Sequence, residues 1–128
     1  MQDKGTGPLG NVQINFNGAE RMASLRAYAK RLARVARRDV RLARLRVRTM
    51  REGKKGSYFS TVVSEKLQEV KKEGQVWRWS TTIYLNFRRL RNQESIMEAM
   101  CHELAHAAPL GGSFEEDMNK WEEVLKGA

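Results

Sequence analysis

A chain of 128 residues with 41% apolar and 30% charged side chains has the length of one domain and enough apolar matter to bury a core. No run approaches the ~18 apolar residues of a membrane span, the first ten residues lack the apolar stretch of a secretory signal, and the lone Cys101 excludes an internal disulfide and every zinc site built on paired cysteines. The net charge of +9 is uneven, with 14 basic and 2 acidic residues from Arg21 to Lys55 but 2 basic and 8 acidic from Glu94 onward, so one face is expected to meet a polyanion.

Residues 1–17 are rich in Gly and Pro and read as a flexible tail, with Val12, Ile14 and Phe16 alternating near its end. Asn17-Gly-Ala-Glu20 has the form of a helix start. Beyond it Met22, Leu25, Ala29, Leu32, Val35 and Ala36 recur at three and four, and Arg26, Lys30, Arg31, Arg34, Arg37 and Arg38 fill the opposite arc. This predicts an amphipathic helix ending near Asp39. Leu45, Val47 and Thr49 then alternate with Arg44, Arg46 and Arg48, the period of a half-buried strand with a basic outer face. The Arg51–Gly56 loop, with Lys54 and Lys55, turns the chain.

Ser57–Val63 and the alternating set Trp77, Trp79, Thr81, Ile83 and Leu85 predict two more strands. Between them, Ser64–Gly74 is either a long hairpin turning at Lys72-Glu-Gly74, the reading we favour, or a short helical excursion through Leu67 and Val70. Asn92 offers a cap for a second helix with Ile96, Met97, Met100, Leu104 and Ala107 on one face, stopped by Pro109. Ser113-Phe-Glu-Glu116 is a capping box for a third helix carrying Phe114, Met118, Trp121, Val124 and Leu125. The order is helix, three strands, helix, helix.

Both histidines of the chain lie in His102-Glu103-Leu104-Ala105-His106 on the second helix. Four residues apart, they stand roughly 40° from one another on one face, so both imidazoles can reach one ion. Glu103 lies beside that face, where a carboxylate can act as general base on a metal-bound water without being a ligand. Cys101 falls off the imidazole arc and reads as a packed side chain.

Ile83-Tyr-Leu-Asn86 followed by Ser95-Ile-Met-Glu-Ala-Met-Cys-His-Glu-Leu-Ala-His-Ala107 resembles the SprT-like zinc metallopeptidases, the family that includes the Spartan proteases. The resemblance covers Glu20–Leu125 in element order and is specific from Ile83 to Ala107. It implies an α+β domain of minimal zincin type over residues 18–128, with an N-terminal helix, a small three-stranded sheet, the HExxH helix and a C-terminal helix. It also implies one zinc on His102 and His106, Glu103 as base and acid, and an extended protein substrate along the strand before the active-site helix. Tyr58 and Tyr84 are candidates for stabilising the oxyanion.

The family supplies a third histidine, and this chain has none. Aligning the family's His-Gly-x-x-Phe signature on Phe114 places Leu110 at the ligand position; aligning it on Met118 places Phe114 there. A carboxylate is the remaining option, with Glu116 or Glu115 preferred to Asp117, although acids in the first turn of a helix also serve its dipole and cap.

The second constellation is basic. Arg26, Lys30, Arg34 and Arg37 on the helix and Arg44, Arg46 and Arg48 on the strand suit phosphate contacts with little sequence specificity. Trp77, Trp79 and Tyr84 are candidates for base stacking, although aromatics on strands are more often core. The expected function is a zinc-dependent endopeptidase acting on nucleic-acid-associated, including DNA-crosslinked, protein. The alternative is a catalytically inactive nucleic-acid-binding or assembly protein of the same fold. Either is expected in the cytoplasm, beside nucleoid or host-cell nucleic acid, and not on a membrane, since the basic helix has no Trp or Phe to insert.

Overall fold

The computed structural model describes residues 18–50, 58–71 and 74–127. The expected tail over residues 1–17, the Asn17 cap, the Lys54-Lys55 turn, the Lys72-Glu73 tip and the Trp77 side chain lie outside the described residues. The element order is helix α1 (Gly18–Ala36), strands β1 (Leu42–Thr49), β2 (Ser60–Lys71) and β3 (Gly74–Leu85), then helices α2 (Gln93–Ala107) and α3 (Phe114–Leu125). This is the expected α+β layout. Among the described residues no helix is long and apolar enough to cross a membrane.

The inward stripe of α1 is Leu25, Ala29, Leu32, Ala33, Val35 and Ala36, and its arginines face out. The helix stops at Ala36, three residues earlier than expected. There Asp39 turns the chain, accepting from the Arg41 backbone N–H at 2.9 Å and from its guanidinium at 2.7 and 3.0 Å. Those bonds hold the Asp39 carboxyl below its ordinary range and push the Arg41 guanidinium up.

Strand β3 is central, parallel to β1 on one side and antiparallel to β2 on the other. β2 and β3 form the long hairpin that was the favoured reading, with Lys71 opposite Gly74, so there is no helical excursion. β1 starts at Leu42, and a bulge between Leu42 and Arg44 lets Leu42 and Leu45, three residues apart, both face inward. Beyond the bulge, Leu45 is buried and Arg44, Arg46 and Arg48 are exposed, as the alternation required. On β3 the buried line is Thr81, Ile83 and Leu85, with the Thr81 hydroxyl satisfied by Ser64 Oγ at 2.8 Å.

Helix α2 carries the expected cap, Asn92 Oδ1 accepting from Ser95 N at 2.8 Å and Ser95 Oγ accepting from Asn92 N at 3.3 Å. It ends just before Pro109. Helix α3 begins with the expected capping box of Ser113 and Glu116. Its buried line differs from the expected one. Asp117, Trp121 and Leu125 point inward, whereas Phe114 and Val124 are exposed, because positions four apart share one face and an acid heads the line. The corner between α2 and α3 is tied by Trp121 Nε1 donating to the Ala108 carbonyl at 3.0 Å and by Arg41 donating to the Pro109 carbonyl at 2.6 Å. A cation at the C-terminal carbonyls of a helix also complements its dipole.

Buried side chains from α1, β1, β3, α2 and α3 form one cluster, with Trp121 its largest fully buried member. Trp121→Ala should cost about 3–5 kcal/mol of stability in urea unfolding. In Trp121→Phe, loss of the Ala108 hydrogen bond should account for about 1 kcal/mol of a smaller total.

Candidate functional site

Ser95, Glu98, Ala99, His102 and Glu103 of α2 line one side of the candidate site, and Tyr58, Phe59 and Ser60, leading into β2, line the other. Glu103 is buried, at 4% exposure, and its Oε2 accepts a hydrogen bond from Ser60 Oγ on β2. His102 is half-buried and His106 exposed, with ring centroids 4.8 Å apart and planes at 79°. His102 and Glu103 line a cleft of about 530 Å3 together with Tyr58, Phe59, Ser60 and Met118, whereas His106 sits beyond its lining.

The structure therefore brings the two imidazoles together, as the helical spacing required, and turns Glu103 into the cleft beside His102. It also places Phe114, the first residue of α3, against both rings, at 5.0 Å from His102 and 4.4 Å from His106 between centroids.

Two of the three acids expected to complete a metal site accept backbone hydrogen bonds around the start of α3. Glu116 Oε1 accepts from Ser113 N at 2.8 Å, and that bond holds its carboxyl below the ordinary range. Asp117 is 3% exposed and accepts from Leu110 N at 2.8 Å and Gly112 N at 3.0 Å; the Leu110 bond foremost lowers its pKa. Glu115 is exposed on the same first turn. Cys101 is packed, its Sγ 3.9 Å from Met97 Sδ, and burial pushes the thiol up to about 12.

A catalytic zinc site takes three protein ligands. Among the described residues no group of three or more His, Cys, Asp and Glu is placed to hold a metal ion. Two imidazoles fit two of the positions, and the described residues do not fit a three-ligand centre.

Two expectations about substrate are corrected by the topology. β3, the strand before α2, is hydrogen-bonded on both sides from Trp79 to Leu85 and offers an extended peptide no free edge over that stretch. The edge strand that borders the cleft is β2, through Tyr58, Phe59 and Ser60 at its start. Tyr84, paired between β1 and β2 and out of line with the buried Ile83 and Leu85, faces away from α2 and cannot serve an oxyanion there. Tyr58 lines the cleft.

On the far side of the sheet edge, Lys30, Arg34 and Arg37 of α1 converge with Arg46 and Arg48 of β1 on a groove of about 320 Å3 floored by Ala33, Leu45 and Val47. Among the described residues no acidic side chain lines it. Arg26 lies near its end, donating to Thr49 Oγ1 at 3.3 Å, and Arg44 is exposed outside the lining. Ser60, Arg41 and the burial of Asp117 escaped the sequence reading, since each depends on a partner from another element or on the shape of the corner. Comparison with protein-family models, curated proteins and solved structures finds no match for this chain.

Two outcomes follow from this corner. A carboxyl held below its ordinary range adds stability above the ordinary aspartate value and loses it as pH falls through the lowered one. The difference in Tm between the protein and Asp117→Asn should therefore be largest near neutrality and shrink below about pH 4. Phe114→His should place a third imidazole beside the pair and tighten zinc binding by more than about tenfold in a chelator competition.

Proposed function

We propose that this chain is a nucleic-acid-binding protein on a SprT-like, zincin-type scaffold, gripping the phosphate backbone in the α1–β1 groove and offering the α2–β2 cleft to a protein segment. The observation that carries it is that Lys30, Arg34, Arg37, Arg46 and Arg48 line one groove with no acidic residue among its described lining. Guanidinium groups from two elements can each take a phosphate bidentately, and every phosphate neutralised adds affinity and salt dependence. The contact of Phe114 with both imidazoles supports a binding role over a catalytic one.

A second reading, a zinc-dependent endopeptidase acting on protein bound or crosslinked to nucleic acid, is favoured by Glu103. A buried carboxylate facing a cleft beside an edge strand is placed to take and return a proton, and Ser60 holds it in position. That activity would need zinc on His102 and His106 with a third donor, and among the described residues no group of three or more His, Cys, Asp and Glu is placed to hold a metal ion.

Replacing Lys30, Arg34, Arg37 and Arg46 together by Gln should weaken duplex binding across all sequences. The slope of log affinity against log salt should flatten by about 3–4. Undetectable binding by the unaltered protein at low salt would overturn the proposal. The two readings separate on zinc content and on cleavage. The binding reading expects well under one equivalent of zinc after loading and buffer exchange, and no cleavage of a DNA-bound protein. The peptidase reading expects about one equivalent and cleavage that Glu103→Gln abolishes while keeping the metal.

A further inference from the structure

The sheet has two faces of opposite character. Thr81, Ile83 and Leu85 of β3 are buried toward the helices, so the alternate residues Ser80, Thr82 and Tyr84 lie on the other face. By register, Arg44, Arg46 and Arg48 of β1 stand beside them on one side, and Glu65, Val63 and Thr61 of β2 on the other. Among the described residues no helix packs on this face. Val63, 55% exposed, and the half-buried Tyr84 lie open on it.

The three rows differ in chemistry. The outer row is three exposed arginines spaced about 6.6 Å apart along β1. The middle row is two hydroxyls and a tyrosine. Tyr84 is the neighbour of Arg48 across the parallel pairing, about 4.8 Å away between strands. Trp79, by contrast, lies on the helix side, half-buried against the core with Lys66 Nζ 6.0 Å over its ring. Of the aromatics that could stack a base, Tyr84 is therefore the one on the open face beside the arginines.

We infer that this open face seats single-stranded nucleic acid, with Arg44, Arg46 and Arg48 following the backbone and Tyr84 stacking on an unpaired base. The inference rests on the phosphate-binding reading of the groove, with which it shares Arg46 and Arg48. The complementary charge of the arginine row argues for a polyanion. The tyrosine argues for a single strand, because a duplex keeps its base faces stacked and closed to a side chain, whereas an unpaired base presents a face that any aromatic platform can take. The hydroxyls of Ser80, Thr82 and Thr61 can bond base edges or sugars without demanding a sequence.

The test is anisotropy of a labelled mixed-sequence oligonucleotide, single-stranded and as a duplex, at one fixed salt concentration. Tyr84→Leu should bind the single strand about tenfold more weakly, the loss of one stacked base, and the duplex nearly as before. Tyr84→Phe, which keeps the ring, should bind both as the unaltered protein does. Val63→Glu, an exposed change that the fold tolerates, should repel the single strand selectively and decides the matter if Tyr84→Leu does not fold. Equal effects on strand and duplex, no effect on either, or a Tyr84→Phe that behaves as Tyr84→Leu would overturn the inference. Arg34→Gln with Arg37→Gln separates this from the groove. If that pair lowers both affinities while the open-face variants do nothing, the groove reading stands and the open face is idle; if it lowers neither, the groove reading fails as well.

Discussion

Everything in this domain is arranged around a strand that is paired on both sides from Trp79 to Leu85. Because β3 is hydrogen-bonded to β1 on one side and β2 on the other, its alternation is imposed on both neighbours. Residues in line with Thr81, Ile83 and Leu85 face the helices, and those in line with Ser80, Thr82 and Tyr84 face away. Sequestering β3 leaves two edges with different borders. The β1 edge runs beside the basic arc of α1, and the start of β2 runs beside Glu103. The separation of a basic surface from the His-Glu-His helix thus follows from strand order.

The second constraint is the corner after α2. Its last carbonyls would be orphaned by Pro109 and the turn that follows. Trp121 takes the Ala108 carbonyl, Arg41 takes that of Pro109, and Asp117 gathers the N–H groups of Leu110 and Gly112. Gly111, at a φ of 96°, supplies the left-handed residue that the turn needs. These bonds fix where α3 starts and so set Phe114 against the imidazoles. Arg41 also holds Asp39, so the turn between α1 and β1 is fastened to the same corner and the basic groove is built on the foundation that positions the histidines.

Features set by local chemistry are legible in the sequence. The caps at Asn92 and Ser113 join groups three residues apart, and the inward and outward sides of α1 and most of β1 follow from periods of 3.6 and 2. Features that need a partner are not. The bulge at Leu42 depends on β3, and the full length of β2 depends on pairing through a polar stretch whose pattern shows no clear period. Strand order is equally hidden, and with it the pairing of β3 on both sides from Trp79 to Leu85. Within the site, His102, Glu103 and His106 announce themselves by spacing, but Phe114 reads as core because it is apolar at a helical interval. In the fold its 39% exposed ring covers the imidazoles instead.

The central proposal is that the basic groove and the cleft lined by His102 and Glu103 are separate binding surfaces on opposite edges of one sheet. Amide hydrogen exchange, with and without a mixed-sequence oligonucleotide at low salt, tests it most directly. The account predicts slowed exchange along the second half of α1 and through β1, and no change from Ser95 to His106. Protection concentrated at the cleft, with α1 and β1 unaffected, would contradict it.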